Sequence, residues 1–345
     1  MKCARCGYDS KYPQRPNRTC PSCKGKFAFE PREGDKLTDK AFAAAISRVS
    51  ADGKVHFGVE HVHHELAKRK GSTRMGAMLF GAFVGIGSLL VTRSVGIAFV
   101  LGAVTLGLGF LGTLRSRLLA KDEFEVLWRR WIEAHGPPQK LIQRKESRQL
   151  GPGDLPPDIE SYSFDRVVVC DRARTVDLLL ANDFHFENNC AVVSWGGYPR
   201  ATFEVVRRML RKNPHLEVYV LHDATIEGCS LAFRVCHDPE WFPGNARTVD
   251  VGMRPGQAPR YRKHWQDYVG PRPSPRPGVS DKELRWLSKH QAELAAIRPE
   301  QVIKRLFRAM KQPKAVGQST ADGFFIDSGF DVYASASDGG GDSFG

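Results

Sequence analysis

Cys3-x2-Cys6 and Cys20-x2-Cys23 stand at one end of the chain with 13 residues between the pairs. Two such knuckles each present a pair of thiolates, and four thiolates make a closed tetrahedral site for Zn²⁺. A closed site leaves no position for substrate, so the expected metal is structural. Gly7 and Gly25 follow the knuckles, where tight turns favour glycine. Lys2, Arg5, Lys11, Arg15, Arg18, Lys24 and Lys26 make the surroundings basic.

Acids form the second group with chemical potential. Arg166–Cys170, Ala191–Ser194 and Glu217–Leu221 are short β-branched apolar runs that alternate with helical segments. That alternation predicts a parallel sheet covered by helices. Ligands of such sheets collect at the carboxyl ends of the strands. Asp171 ends the first run and Asp223 the third, and the two could share Mg²⁺, with Glu227 as a third ligand. His222 beside Asp223 could tune that site or simply pack, and packing is the favoured reading. Cys170, Cys190, Cys229 and Cys236 read as buried thiols.

The stretch 166–232 resembles the Toprim domain of the A subunit of type IIB topoisomerases and the related meiotic double-strand-break protein. In that family the first strand ends in a catalytic glutamate, a Gly-Tyr-Pro turn follows the second, and the third ends in Asp-x-Asp-x-x-Gly. Here those places hold Asp171, Gly197-Tyr198-Pro199 and Asp223-Ala224-Thr225-Ile226-Glu227-Gly228. Residues 249–255 (VDVGMRP) are similar to the strand that follows the family's core, and 37–70 is similar to its winged-helix module. The resemblance implies a Toprim-like fold and assigns Asp171 and Asp223 to the catalytic positions. The family's nucleophilic tyrosine has no counterpart, because His63-His64 stands where the family carries a Tyr-Tyr pair. Thr225 replaces the second aspartate, and a retained fold without turnover is the expectation.

The elements that would position these residues follow in order. Residues 1–30 are the zinc ribbon, and 37–70 the winged-helix-like module, read as helix, Asp52-Gly53 turn, short strand and helix. Met75–Val91 and Val95–Gly112 are uncharged apolar runs, each about the length that crosses ~30 Å of hydrocarbon at ~1.5 Å per residue. A two-span transmembrane hairpin over 75–112 is therefore predicted. Basic residues on both flanks (Lys68 to Arg74, Arg115 to Lys121) would leave both soluble regions cytoplasmic. Residues 121–135 form an amphipathic helix, suited either to the headgroup level or to packing on the next domain. A proline-rich linker (136–160), the Toprim-like domain (161–270), a helical extension (280–312) and a disordered Gly/Asp-rich tail (313–345) complete the division.

The fold class expected is thus multidomain α/β with zinc ribbon, winged-helix-like module, two transmembrane helices and a Toprim-like parallel domain. At 345 residues and 41% hydrophobic composition the chain can bury several cores, which excludes a wholly disordered protein. Its formal charge of +13 favours an anionic partner, nucleic acid or a membrane face. The expected function is an inactive Toprim-like protein tethered to the inner membrane and binding nucleic acid or a protein. Two alternatives are a Mg²⁺-dependent nuclease or phosphoryl-transfer enzyme using Asp171 and Asp223, and a membrane scaffold.

Overall fold

The computed structural model describes residues 1–67, 119–143, 164–212, 216–238, 247–257, 265–311 and 325–326. The chain opens with one turn built twice. Gly7 N–H donates to the Cys3 carbonyl and Lys24 N–H to the Cys20 carbonyl, each at 3.0 Å. Gly7 (φ 72°) and Lys24 (φ 58°) both adopt the left-handed region. Antiparallel bridges Lys2–Asp9 and Thr19–Lys26 close the two hairpins.

Helix α1 (Asp39–Val49) starts where the Thr38 hydroxyl accepts the Ala41 N–H at 3.2 Å. It stops at a turn in which Ala51, Asp52 and Gly53 all have positive φ. Phe57 then makes an isolated bridge to Leu141 where a short strand was predicted. Helix α2 (Val59–Leu66) follows, and α3 (Lys121–His135) returns to the same core. Phe29, Phe42, Val49, Phe57, Val62, Phe124 and Trp131 are buried together, with the Phe42 and Trp131 rings 4.8 Å apart. The apolar face of α3 thus meets α1, α2 and the end of the ribbon. Arg130 fixes its rotation, donating to both Asp35 oxygens at 2.8 Å and to the Ala28 carbonyl at 2.7 Å.

The second unit runs β1 (Arg166–Cys170), α4 (Ala173–Ala181), α5 (Phe184–Glu187), β2 (Cys190–Ser194), α6 (Arg200–Lys212), β3 (Glu217–Leu221), α7 (Ile226–His237) and β4 (Arg247–Asp250). A short antiparallel pair follows, β5 (Gln266–Asp267) with β6 (His290–Gln291), around α8 (Asp281–Leu287). Helix α9 (Pro299–Lys311) and the two-residue β7 (Phe325–Ile326) end the described chain. The main sheet is parallel throughout, in the order β2-β1-β3-β4-β7.

Alternation along each strand explains why both faces are apolar. Val168, Cys170, Val192, Tyr219 and Leu221 face a layer containing α4 and α9. Val167, Val169, Val193, Val218 and Val220 face α6 and α7. The connections run outward on one side from β1 and on the other from β3, so the topological switch lies between them. Asp171 follows β1 directly, and Asp223 follows β3 after His222.

The expected fold class and the inner-membrane placement are corrected here. No helix among the described residues is long and apolar enough to cross a membrane. The 15 residues of α3, the longest, span roughly 22 Å against the ~30 Å of a bilayer core and carry charges on every turn. The hairpin assigned to 75–112 lies outside the described residues, as does most of the 136–160 linker and of the 313–345 tail. What stands is a mixed α/β structure with a parallel sheet and a four-cysteine cluster near the N-terminus.

Helix α7 is capped by Thr225, whose hydroxyl accepts the Gly228 N–H at 3.0 Å. A Cβ at Gly228 would stand 2.3 Å from the Asp223 carbonyl oxygen. Gly228→Ala is therefore expected to force the helix off the strand end and destabilise the fold by about 1–3 kcal/mol, measured as a lowered urea midpoint.

Candidate functional site

The knuckle turns bring the four cysteine sulfurs within 4.8 Å of one another. Cys3 Sγ lies 3.7 Å from Cys23 Sγ, and Cys6 Sγ lies 3.8 Å from Cys20 Sγ. A tetrahedron with metal–sulfur bonds of about 2.3 Å has edges of about 3.8 Å, so the sulfurs already sit at the corners that a metal such as zinc requires. Among the described residues this is the one group of three or more Cys, His, Asp or Glu side chains that could hold a metal ion.

At the switch point the acids are placed differently. Asp223 is 1% exposed. Its Oδ1 accepts the Leu294 N–H at 2.7 Å, and its Oδ2 accepts from Arg174 at 3.2 Å and Arg172 Nε at 3.3 Å. Its own N–H donates to Asp171 Oδ2 at 2.8 Å, which brings the two predicted site acids together. Asp171 Oδ1 is buried without a hydrogen-bond partner. Glu227, the suggested third ligand, is exposed on α7.

A third strand-end acid belongs to the same edge and was not singled out from the sequence. Asp250 Oδ1 accepts the Gly252 N–H at 2.9 Å and faces His222 Nε2 at 3.0 Å. Its Oδ2 takes two nitrogens of Arg254 at 2.6 and 2.8 Å. The other His222 nitrogen, Nδ1, lies 2.7 Å from the Asp223 carbonyl. Both nitrogens face oxygen acceptors, an arrangement that favours the doubly protonated ring. Burial opposes that charge, and Asp250 outweighs it and raises the imidazole pKa. Burial likewise opposes ionisation of Asp250, yet His222 and Arg254 hold its carboxyl far below the usual carboxylate range. His222 is fully buried and bonded at both ring nitrogens, joining the ends of β3 and β4.

The site continues into the helical module. Arg174 joins Asp223 to Glu293, at 3.2 and 3.3 Å, and Glu293 receives His64 Nε2 at 3.1 Å. Burial disfavours ionised Glu293, but His64 and Arg174 prevail and bring its carboxyl down to about 2. His63 Nε2 lies 2.9 Å from the Leu119 carbonyl. Both histidines line a cavity of about 610 Å³ with Phe124, Trp128, Arg174 and Glu293. Sequence reasoning missed Arg172, Arg174, Asp250, Arg254 and Glu293. Asp250 could have been found, since it ends a strand as Asp171 and Asp223 do; Glu293 stands in a segment with no local signal. Cys170, Cys190 and Cys229 are buried thiols and Cys236 is half-buried.

Comparison of the chain with protein-family models, with curated proteins and with solved structures gives no match.

Burial, and then the charge of Asp223, push the Asp171 carboxyl up to about 7. The fold therefore keeps a proton that the unfolded chain, with a carboxyl near pH 4, has released between about pH 4 and pH 7. Through this residue, stability falls as pH rises across that window. Asp171→Asn, which still accepts the Asp223 N–H, is expected to match the native protein at pH 4 and to exceed its urea midpoint at pH 8.

Proposed function

We propose that the protein is a nucleic-acid-binding protein whose strand-end acids serve architecture and not turnover. The observation that carries this reading is the filled carboxylate of Asp223, with Leu294 on one oxygen and Arg172 and Arg174 on the other. A Mg²⁺-dependent phosphoryl-transfer site needs carboxylate oxygens open to the cation, with room for substrate phosphate beside it. The likeness to the Toprim pattern fits a retained scaffold, because Thr225 at the family's second acidic position caps a helix instead of binding a cation. The formal charge of +13 favours the nucleic-acid partner.

In this reading the cysteine quartet holds structural zinc and stabilises the ribbon outright, as closed four-sulfur sites do. One zinc per chain is expected by elemental analysis, falling toward zero in Cys20→Ser.

One observation favours a second reading. Asp171 Oδ1 is unpartnered beside Asp223. If Arg172 and Arg174 turned toward a substrate phosphate, the two acids could share one Mg²⁺.

Calorimetric titration of the full chain separates the two. The binding reading expects no heat from Mg²⁺ or Mn²⁺ at millimolar concentration. It also expects Asp223→Ala to cost about 1–3 kcal/mol of stability, because the buried Leu294 N–H loses its acceptor while Arg174 keeps Glu293, with affinity for a labelled oligonucleotide unchanged. Metal binding lost in both Asp171→Ala and Asp223→Ala, with metal-dependent DNA cleavage lost alongside, would establish the enzyme.

A further inference from the structure

The nucleic-acid reading does not say which surface makes the contact, and the ribbon carries the strongest answer. Resting on that reading, we propose that the ribbon takes single-stranded nucleic acid, with phosphates on Lys2, Lys11, Lys24 and Lys26 and a base stacked on Tyr8.

Three observations converge on it. The first is the state of the cations. Lys2, Lys11, Lys24 and Lys26 are exposed and none lies within ion-pair distance of a carboxylate among the described residues, with Lys2 standing across the hairpin from Asp9. Many other cations are committed: Arg15 to Glu30, Arg130 to Asp35, Arg174 to Asp223, Arg254 to Asp250 and Lys304 to Glu300. The second is exposed aromatic surface. Tyr8 is 46% exposed and Tyr12 38%, two of the few large apolar side chains left in solvent among the described residues. Arg32 already lies over the Tyr12 ring, at 5.7 Å from its centroid, which leaves Tyr8 as the open platform.

The third is the backbone of the second knuckle. Where the first knuckle uses Gly7 in the left-handed region, the second uses Lys24 at φ 58°. That conformation costs a residue with a Cβ roughly 1–2 kcal/mol and glycine nothing. The turn thus places a cationic side chain, where glycine would be the easier fit, beside the cysteine cluster.

Exposed rings interleaved with unpaired lysines match a strand that offers both phosphates and open base faces. A duplex hides those faces, and an acidic peptide has none.

The test uses the full chain and two labelled probes, a single-stranded oligothymidylate and a duplex of equal length, followed by fluorescence anisotropy across a KCl series. The single strand is expected to bind more tightly than the duplex. Lys24→Gly keeps the turn and is expected to reduce the slope of log affinity against log salt by about 0.7, the share of one single-strand phosphate contact. Tyr8→Ser should weaken binding about fivefold or more without moving that slope, and Tyr8→Trp should restore it. Unchanged thermal melting of each variant secures the comparison. Salt-dependent binding that both Lys24→Gly and Tyr8→Ser leave intact would overturn the ribbon assignment while the nucleic-acid reading stands. Equal affinity for duplex, or equal competition by polyglutamate, would overturn the choice of single strand. No binding of either probe would remove the assignment together with the reading beneath it.

Discussion

One carboxylate ties together elements distant in the chain. Asp223 sits at the end of β3, and its two oxygens reach Leu294, 71 residues onward, and the two arginines around the start of α4, about 50 residues back. A buried charge with fewer partners would be strongly unfavourable, so each of these contacts supports the others. Through Leu294 the acid fixes the segment on which α2 lies, and through Arg174 and Glu293 it reaches His64. The helical module is thus docked by the same charges that close the sheet's carboxyl edge. Asn182 adds a second clasp, exchanging hydrogen bonds of 2.8 and 3.1 Å with the backbone of His56.

The acids of the three strand ends, side by side, have different fates set by their neighbours. Asp250 has a fork of arginine nitrogens and the His222 ring, and it is held ionised. Asp171 is buried with one backbone N–H, a neighbouring negative charge and Arg172 no nearer than 3.9 Å, and it is pushed toward its neutral form. Asp223 lies between, fully bonded and nearly inaccessible. The difference between an ion-binding edge and a structural one is therefore whether the second row of residues supplies cations.

Much of this could be read in the sequence. The runs RVVVC, AVVS and EVYVL could hardly be anything but buried strands, because each is β-branched and apolar on both faces, and a parallel sheet is the arrangement that buries both. The cysteine quartet was legible through spacing alone, since two-residue gaps force each pair onto one turn. Ser280 marks the start of α8, where its hydroxyl accepts the Glu283 N–H. The network around Asp223 was not legible. Arg172, Arg174 and Glu293 look like ordinary surface charges, and only the tertiary fold shows that they converge. The role of α3 was hidden for a related reason: its apolar stripe fits several kinds of surface, and its aromatic partners, Phe29 and Phe42, lie far back in the chain. The long apolar block suggested a membrane architecture that no described helix bears out.

The core of the helical module is discontinuous. It is drawn from α1 and α2 and from the distant α3, and the His63 ring meets the carbonyl of Leu119, 56 positions onward, at 2.9 Å. This has a consequence for the order of events at the ribosome. Synthesised at about 5–20 residues per second, the chain exposes α1 and α2 for roughly 3–10 s before Leu119 follows, and α3 comes later still. During that interval Phe42, Phe57 and Val62 lack the aromatic wall supplied by Phe124 and Trp131. The ribbon, whose turns are complete by residue 26, is the one part of the N-terminal region that can take its shape as it emerges. The rest of that region must wait for a helix encoded well downstream.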